Sequence, residues 1–190
     1  MLEHPEALVA QLAAILRAGA GTQLRIMLPL VESPQQLSAA RKLLRLAAAK
    51  GGQRLPCLGA MIETPTGATR SSELALVADF FSIGTNDLVA TTLGLDREQP
   101  VASPLSAADP AVVALIRRTV NAAHSAGITV EVCGEAASEP ELTQLLIDLG
   151  VDELSVSPAR LDAVRDAIRR SGEPGDEARQ LGYGLGGVVA

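Results

Sequence analysis

Segments of strand character and segments of helical character alternate along residues 5–170 of this sequence. After a first helical segment, five apolar segments are each followed by apolar residues at helical spacing, and the second to fifth of them end in polar residues. Strict alternation of this kind produces parallel strands, because each helix carries the chain back to the starting edge of the sheet. The pattern therefore predicts an α/β fold. The predicted strands cover residues 24–31, 58–63, 79–87, 128–135 and 151–156, and the predicted helices cover 5–18, 33–50, 67–77, 109–126, a segment from 138, and 159–170.

Two α/β architectures fit this pattern. A (β/α)8 barrel has eight strands and about 250 residues, so five units would form part of one, whereas an open doubly wound sheet needs no further strands. No glycine-rich phosphate motif of the nucleotide-binding open sheets follows any strand. Polar residues follow the carboxyl ends of the strands, and in a barrel those ends converge on one mouth. We therefore expect a (β/α)8 TIM-barrel type of fold, represented here by about five β/α units.

Composition excludes several classes of function. The 190 residues carry a formal net charge of −6, and aromatic residues make up 2% of the chain. An acidic chain with few aromatic residues does not offer the basic surface or the stacking platforms of nucleic-acid-binding proteins. No apolar run is long enough for membrane insertion. Cys57 and Cys133 form no close-spaced pair, which favours a reducing, cytoplasmic environment.

Polar residues at two neighbouring strand ends suggest a metal site. Glu63 ends the second predicted strand, and Asn86 and Asp87 end the third. Carboxylates from adjacent strands can share a divalent cation, and Mg²⁺ is usually held by one or two carboxylates together with water and substrate oxygens. Asn86 can donate to a ligand oxygen, and Arg97, ten residues after Asp87, can bind a phosphate.

Each of these residues, taken alone, also has a structural explanation. A carboxylate after a strand, such as Asp87, is more often the N-cap of a helix than a metal ligand. Cys133 lies in an apolar strand, where a cysteine is usually a small buried hydrophobic residue. His4 and His124 lie on helical segments away from the strand ends, and we assign both a structural role.

A set of longer motifs carries a family resemblance. The chain resembles the C-terminal phosphoenolpyruvate (PEP)-binding barrel of the PEP-utilising enzymes. It is most similar to enzyme I of the sugar phosphotransferase system, the phosphoenolpyruvate–protein phosphotransferases, including their fused multiphosphoryl transfer forms. The motifs are Met61-Ile62-Glu63-Thr64-Pro65, Phe80-Phe81-Ser82-Ile83-Gly84-Thr85-Asn86-Asp87-Leu88, Asp96-Arg97, Cys133-Gly134-Glu135 and Asp152-Glu153-Leu154-Ser155-Val156-Ser157-Pro158.

The resemblance implies a role for each candidate residue. It implies that Glu63 and Asp87 ligate Mg²⁺, that Asn86, Asp87 and Arg97 bind the substrate, and that Cys133 is the catalytic acid that protonates C3 of the pyruvate enolate. It further implies a homodimer. The phosphoryl acceptor would be a histidine on a separate domain, which passes the group to a small phosphocarrier protein.

The resemblance also implies that part of the family's site is missing. The family's barrel has three further strands before the first one here, and these carry arginines that bind the PEP phosphate. We therefore expect residues 1–170 to be the C-terminal part of the barrel, inactive in isolation and prone to associate through open strand edges. We expect residues 171–190, rich in glycine, to form a poorly ordered tail.

Two other functions remain open at this point. One is a non-catalytic binding or dimerisation module that retains the motifs as relics. The other is a lyase or aldolase of related barrel fold that binds a pyruvate enolate through Mg²⁺ without phosphoryl transfer.

Overall fold

The computed structural model describes residues 4–95, 103–171 and 187–189 of the 190-residue chain. Strands and helices alternate throughout these residues. The strands are β1 (Arg25–Leu28), β2 (Cys57–Ile62), β3 (Phe80–Gly84), β4 (Thr129–Cys133), β5 (Glu153–Ser155) and β6 (Gly187–Val189). The helices are α1 (Pro5–Ala18), α2 (Pro34–Gly51), α3 (Pro65–Thr69), α4 (Ser71–Ala75), α5 (Thr85–Leu93), α6 (Pro110–Ser125), α7 (Pro140–Asp148) and α8 (Leu161–Arg170). Short 3₁₀ turns cover Pro104–Ala108, Glu135–Ser138 and Pro158–Arg160.

All of these strands lie in one sheet, and each pairs in parallel with its neighbour in the sequence. Parallel strands in chain order are what strict β/α alternation predicts. The structure therefore confirms the parallel α/β prediction. It adds β6, which pairs with β5 inside the segment 171–190 and which the sequence pattern does not predict.

The two faces of the sheet differ in character because side chains alternate along each strand. One face carries apolar, mainly aliphatic residues that are buried beneath the helices; they include Ile26, Leu58, Ile62, Phe81, Ile83, Val130, Val132 and Leu154. The other face, which we call the inner face, carries a mixture of charged, polar and aromatic residues. Its members include Arg25, Gly59, Phe80, Ser82, Gly84, Glu131, Cys133 and Glu153.

Contacts across the inner face show that the sheet is curved. Arg25 on β1 forms ion pairs with Glu131 on β4 and with Glu153 on β5, and its guanidinium lies over the ring of Phe80. Neighbouring strands are about 4.8 Å apart, so a flat sheet would separate β1 from β5 by roughly 19 Å, too far for these side chains to meet. The sheet is therefore rolled around a concave inner face, as the wall of a barrel is.

Capping residues mark the ends of helices at positions that the sequence predicts. The Ser33 side chain accepts a hydrogen bond from the backbone N–H of Gln36, whose own side chain accepts from the backbone of Ser33, which makes a capping box at the start of α2. Gly52 ends the same helix in the left-handed conformation. Asp109 caps α6 by accepting from the N–H of Ala111.

Two predicted elements differ clearly from the structure. The single helix expected over residues 67–77 is two short helices, because the chain leaves helical geometry at Arg70 (φ −98°, ψ 11°) and its guanidinium donates to the carbonyl of Glu32. The third strand ends at Gly84, and Asn86 and Asp87 lie in the first turn of α5 instead of at the strand's end.

None of the described helices is both long enough and apolar enough to cross a membrane.

Candidate functional site

The candidate residues gather at the carboxyl edge of the rolled sheet. Glu63 follows β2, Gly84 ends β3 and Cys133 ends β4, and all three belong to the inner face. In barrels this edge is where side chains from several strands converge on a ligand. The structure thus brings together the strand ends from which the sequence predicts a site.

Glu63 is a buried carboxylate held in place by the loop after β1. Its side chain accepts a hydrogen bond at Oε1 from the backbone N–H of Leu30, at 2.7 Å, and the residue is 5% exposed. Leu30 has a φ of 53°, which is uncommon for a residue with a side chain. The unusual backbone conformation of Leu30 therefore points its own N–H toward Glu63, and this hydrogen bond fixes one carboxylate oxygen.

Gly84 leaves room for the other oxygen of Glu63. A Cβ atom at this glycine would lie 3.0 Å from Oε2 of Glu63 and 3.0 Å from its Cβ. Gly84 also precedes the first residue of α5, so the Glu63 carboxylate lies at the amino-terminal end of that helix. The exposed N–H groups at a helix N-terminus favour negative charge, which suits both a carboxylate and an anionic ligand.

Asn86 is fixed by the loop after β4. Its Oδ1 accepts a hydrogen bond from the backbone N–H of Glu135, at 2.9 Å. Gly134 (φ 92°) makes this approach possible, since a Cβ there would lie 2.8 Å from the same oxygen and 2.5 Å from Oγ1 of Thr85. With its oxygen engaged, the amide of Asn86 presents its Nδ2 hydrogens as the donors for a ligand.

Asp87 is linked to Glu63 through the backbone. The Thr91 hydroxyl lies 2.6 Å from the carbonyl oxygen of Asp87 and 3.4 Å from the carbonyl oxygen of Glu63. The two predicted metal ligands therefore come from neighbouring segments that share one hydroxyl partner.

Cys133 is a half-buried thiol between two strands. Ser82 donates to its Sγ at 3.4 Å, and the thiol donates to the carbonyl oxygen of Ile83 at 3.5 Å. Burial raises the pKa of Cys133, and the negative charges of Glu131 and Glu63 raise it further, while the hydrogen bond from Ser82 opposes the rise. The thiol consequently keeps its proton at neutral pH, as a proton donor must.

Glu131 is a second buried carboxylate on the inner face, and the sequence analysis gives it no role. It is 5% exposed, and its Oε2 lies 2.9 Å from Nη2 of Arg25. Burial raises the pKa of Glu131, while the Ser82 hydroxyl and the Arg25 charge oppose the rise. The available signal was a single acidic residue between the valines of an otherwise apolar strand, two residues before Cys133.

A cleft of about 500 Å³ opens beside Asn86 at the carboxyl ends of β4 and β5. Polar side chains dominate its lining. Its walls include Asn86, Gly134, Glu135, Ser155, Ser157 and Arg160. The site therefore has open space on the side toward β5 that can admit a small polar ligand.

Two of the sequence predictions concern a phosphate and a metal ion. Arg97, the predicted phosphate-binding residue, lies outside the described residues. No group of three or more His, Cys, Asp or Glu side chains within residues 4–95, 103–171 and 187–189 is arranged to hold a metal ion. Glu63 and Asp87 supply two carboxylates, and Mg²⁺ commonly takes no more than that from the protein, so this donor set suits magnesium.

Comparison with known proteins places this arrangement in a family. The family model described as "PEP-utilising enzyme, PEP-binding domain" matches residues 1–172. A phosphoenolpyruvate-protein phosphotransferase from Buchnera aphidicola is 39% identical over 177 residues, covering 90% of this chain and 31% of the relative. A multiphosphoryl transfer protein from Rhodobacter capsulatus is 41% identical over 171 residues, covering 90% of this chain and 21% of the relative. The chain thus spans between a fifth and a third of the length of these relatives.

Solved structures share the fold. A citrate lyase from Burkholderia xenovorans superposes with a TM-score of 0.68 at 19% identity, covering 84% of this chain and 53% of that chain. The citrate lyase beta subunit of Mycobacterium tuberculosis, solved with oxaloacetate and magnesium, superposes with a TM-score of 0.56 at 25% identity, covering 83% and 67% of the two chains. Together with the rolled parallel sheet, these likenesses confirm the predicted fold class, a partial barrel of the (β/α)8 type.

Proposed function

The chain belongs to the family of PEP-utilising enzymes, whose PEP-binding domain it matches over residues 1–172, and from this membership we propose that it is the PEP-binding part of a phosphoenolpyruvate–protein phosphotransferase. The observation that carries the proposal is the meeting of three groups at one edge of the sheet. These are the anchored carboxylate of Glu63, the oriented amide of Asn86 and the protonated thiol of Cys133.

Glu63 and Asp87 would hold magnesium in this proposal. Oε1 of Glu63 accepts a hydrogen bond from the Leu30 amide, and Oε2 lies beside Gly84 at the start of α5. Magnesium bound there would stabilise the negative charge that develops on the enolate oxygen when PEP loses its phosphoryl group.

Asn86 and Arg97 would bind the substrate itself. The Nδ2 hydrogens of Asn86 are directed by the bond between its Oδ1 and the Glu135 amide, so they can donate to an oxygen of PEP without reorganisation. Arg97 would contact the phosphate, where a guanidinium can form two parallel hydrogen bonds.

Cys133 would complete the reaction as the acid. When the phosphoryl group leaves PEP, an enolate remains, and its C3 must gain a proton to give pyruvate. In this step the Cys133 S–H bond breaks as the C3–H bond forms, and the sulfur is left as a thiolate.

The test of the proposal is magnesium-dependent binding of oxalate, an unreactive mimic of the pyruvate enolate. We expect titration calorimetry to show binding of oxalate in the presence of Mg²⁺ and none after chelation. Asp87→Ala should lose this binding, while Asp162→Ala, which removes an exposed carboxylate from α8, should keep it. Equal binding by wild type and Asp87→Ala would refute the metal-site assignment. Absence of binding by the wild type would favour a module that retains the motifs without the function.

Phosphoryl transfer would require partners beyond this chain. Relatives named multiphosphoryl transfer protein are about five times as long as the matched region, which leaves space for further domains. We propose that the phosphoryl group passes from PEP to a histidine on a separate domain and then to a small carrier protein, and that the complete protein is a homodimer. Labelled PEP should phosphorylate an added histidine domain in the full-length protein, and sedimentation should show a dimer.

A lyase acting on a pyruvate-like enolate is the second candidate, because the citrate lyase beta subunit with oxaloacetate and magnesium shares this fold at 25% identity. The same labelling experiment separates the two functions. A lyase would leave the histidine domain without label, whereas a phosphotransferase would label it.

A further inference from the structure

We propose that Glu131 delivers protons to Cys133 through the hydroxyl of Ser82, a role that rests on the proposed function of Cys133 as the acid at C3. Glu131 acts through Cys133 and does not touch the substrate, so it is a positioning residue in this proposal.

The register of the sheet places the three side chains in a row. Ser82 on β3 is the direct partner of Glu131 on β4, and Cys133 lies two residues further along β4 on the same face. Ser82 is fully buried, and its Oγ lies 3.4 Å from the Cys133 sulfur. Because directly paired residues of neighbouring strands project to the same face, the Ser82 hydroxyl lies next to the Glu131 carboxyl. The Ser82 hydroxyl is thus next to both the Glu131 carboxyl and the Cys133 thiol.

The charges around Glu131 suit a group that alternates between carboxylic acid and carboxylate. Burial favours the neutral acid, and the neighbouring carboxylate of Glu153 on β5 favours it as well, while Arg25 on β1 stabilises the carboxylate. Toward the mouth of the site, Glu63 adds a negative charge near Cys133. Glu131 is thus surrounded by groups that favour each of its two protonation states.

Each proton that Cys133 gives up is replaced along this path. After the Cys133 thiol has given its proton to C3, the thiolate takes the hydroxyl proton of Ser82, and the Ser82 oxygen takes the carboxyl proton of Glu131. The carboxylate that results pairs with Arg25. Glu131 then regains a proton from water at the open side of the inner face, where the Arg25 side chain is one third exposed. The thiol is restored for each turnover without water having to reach the sulfur.

Exchange of the methyl protons of pyruvate in deuterium oxide, followed by proton NMR with Mg²⁺ present, tests the proposal directly. We expect Glu131→Gln and Ser82→Ala each to slow exchange at least about tenfold, since proton transfer by a positioned group contributes 10²–10⁴-fold in typical cases. The double variant should be no slower than either single variant, because both act on one path. Glu131→Asp, which keeps an acid, should recover part of the rate.

Glu141→Gln is the control. Glu141 is an exposed carboxylate on α7 and does not belong to the inner face. We expect exchange within about twofold of wild type for this variant. Equal losses for Glu131→Gln and Glu141→Gln would mean that the loss does not arise from the path through Ser82, and they would overturn the proposal.

A second measurement separates this inference from the proposed function. In a Cys57→Ser background, alkylation of Cys133 by iodoacetamide across pH reports the titration of the thiol without any turnover. Glu131→Gln should move the alkylation profile to lower pH by removing a negative charge, and Ser82→Ala should move it to higher pH. Profiles of Glu131→Gln that coincide with wild type would overturn the link between Glu131 and Cys133. Absence of methyl exchange in the wild type, or undiminished exchange in Cys133→Ala, would instead count against the proposed function.

Discussion

Nη2 of Arg25 on β1 lies 2.6 Å from Oε2 of Glu153 on β5, although three strands separate the two in the sheet. The same nitrogen lies 2.9 Å from Oε2 of Glu131 on β4. One guanidinium therefore braces the first strand against the fourth and fifth across the concave face. The bonds raise the pKa of Arg25, mainly through the hydrogen bond to Glu153, so the charge persists at every ordinary pH.

Removing the charge of Arg25 should destabilise the chain through the carboxylate that remains. Arg25→Met leaves Glu131 buried without its cation, and we expect the free energy of unfolding in urea to fall by about 1–3 kcal/mol. The Arg25→Met/Glu131→Gln double variant should recover part of the loss, because no buried charge then lacks a partner. A free energy of unfolding equal to wild type in Arg25→Met would show that the brace contributes nothing to stability.

Gly84→Ala tests the space in front of Glu63. The backbone of Gly84 (φ −83°, ψ 90°) accepts an alanine, so the added methyl acts through its contacts with the Glu63 side chain, whose Oε2 and Cβ lie 3.0 Å away, and with Sδ of Met61 at 3.3 Å. We expect magnesium-dependent oxalate binding, measured by calorimetry, to weaken about tenfold, or about 1.4 kcal/mol. Thermal unfolding should change far less. Unchanged binding would mean that Oε2 of Glu63 does not contact the bound magnesium or oxalate.

Gly134→Ala should displace Asn86 and Thr85. Gly134 adopts φ 92° and ψ −176°, a conformation almost restricted to glycine, and a Cβ there would meet both neighbouring side chains. Gly127 (φ 70°) is a suitable control, because a Cβ there meets nothing within 4 Å. We expect Gly134→Ala to cost about 1–3 kcal/mol more than Gly127→Ala in urea unfolding, and to weaken oxalate binding where the control does not. Similar losses in the two variants would indicate that backbone conformation alone matters at Gly134.

Stability should fall in acid partly through Asp79. Burial would raise the pKa of this carboxyl, but hydrogen bonds from Arg41, at 2.9 Å, and from the Leu58 amide, at 2.7 Å, lower it below its usual value. A lowered pKa in the folded state gives stability that is present above the unfolded pKa of about 3.9 and is lost as pH falls through the folded value.

Asp79→Asn should reveal this contribution when urea unfolding is measured from pH 7 to pH 3. Because the side chain is about one third exposed, the difference from wild type should be only about 0.5–1 kcal/mol at neutral pH. The difference should shrink below about pH 4. A difference that stays constant over the whole range would contradict the assignment to charge.

Much of the fold could be predicted because its signals are local. The alternation between strand-like and helical spacing of apolar residues predicts the order of strands and helices. Ser33 and Asp109 cap helices at the positions that the sequence predicts. Errors arose where local signals compete. Asn86 and Asp87 follow an apolar run and suggest a strand end, yet the helix of which they form the first turn starts already at Thr85. β6 carries too little periodicity to be predicted, and only its pairing with β5 defines it.

The candidate site, like the fold, could be predicted only in part. The sequence by itself determined which chemical groups are present and at which strand ends they lie, because carboxylates, an amide and a thiol can be read directly and parallel strands end at one edge. Only the tertiary structure decided the contacts between residues far apart in the chain. The Leu30 amide on Glu63, the Glu135 amide on Asn86 and the Arg25 bridge to Glu131 all depend on how strongly the sheet is rolled. That curvature arises from the packing of the whole sheet, and no short segment of sequence encodes it.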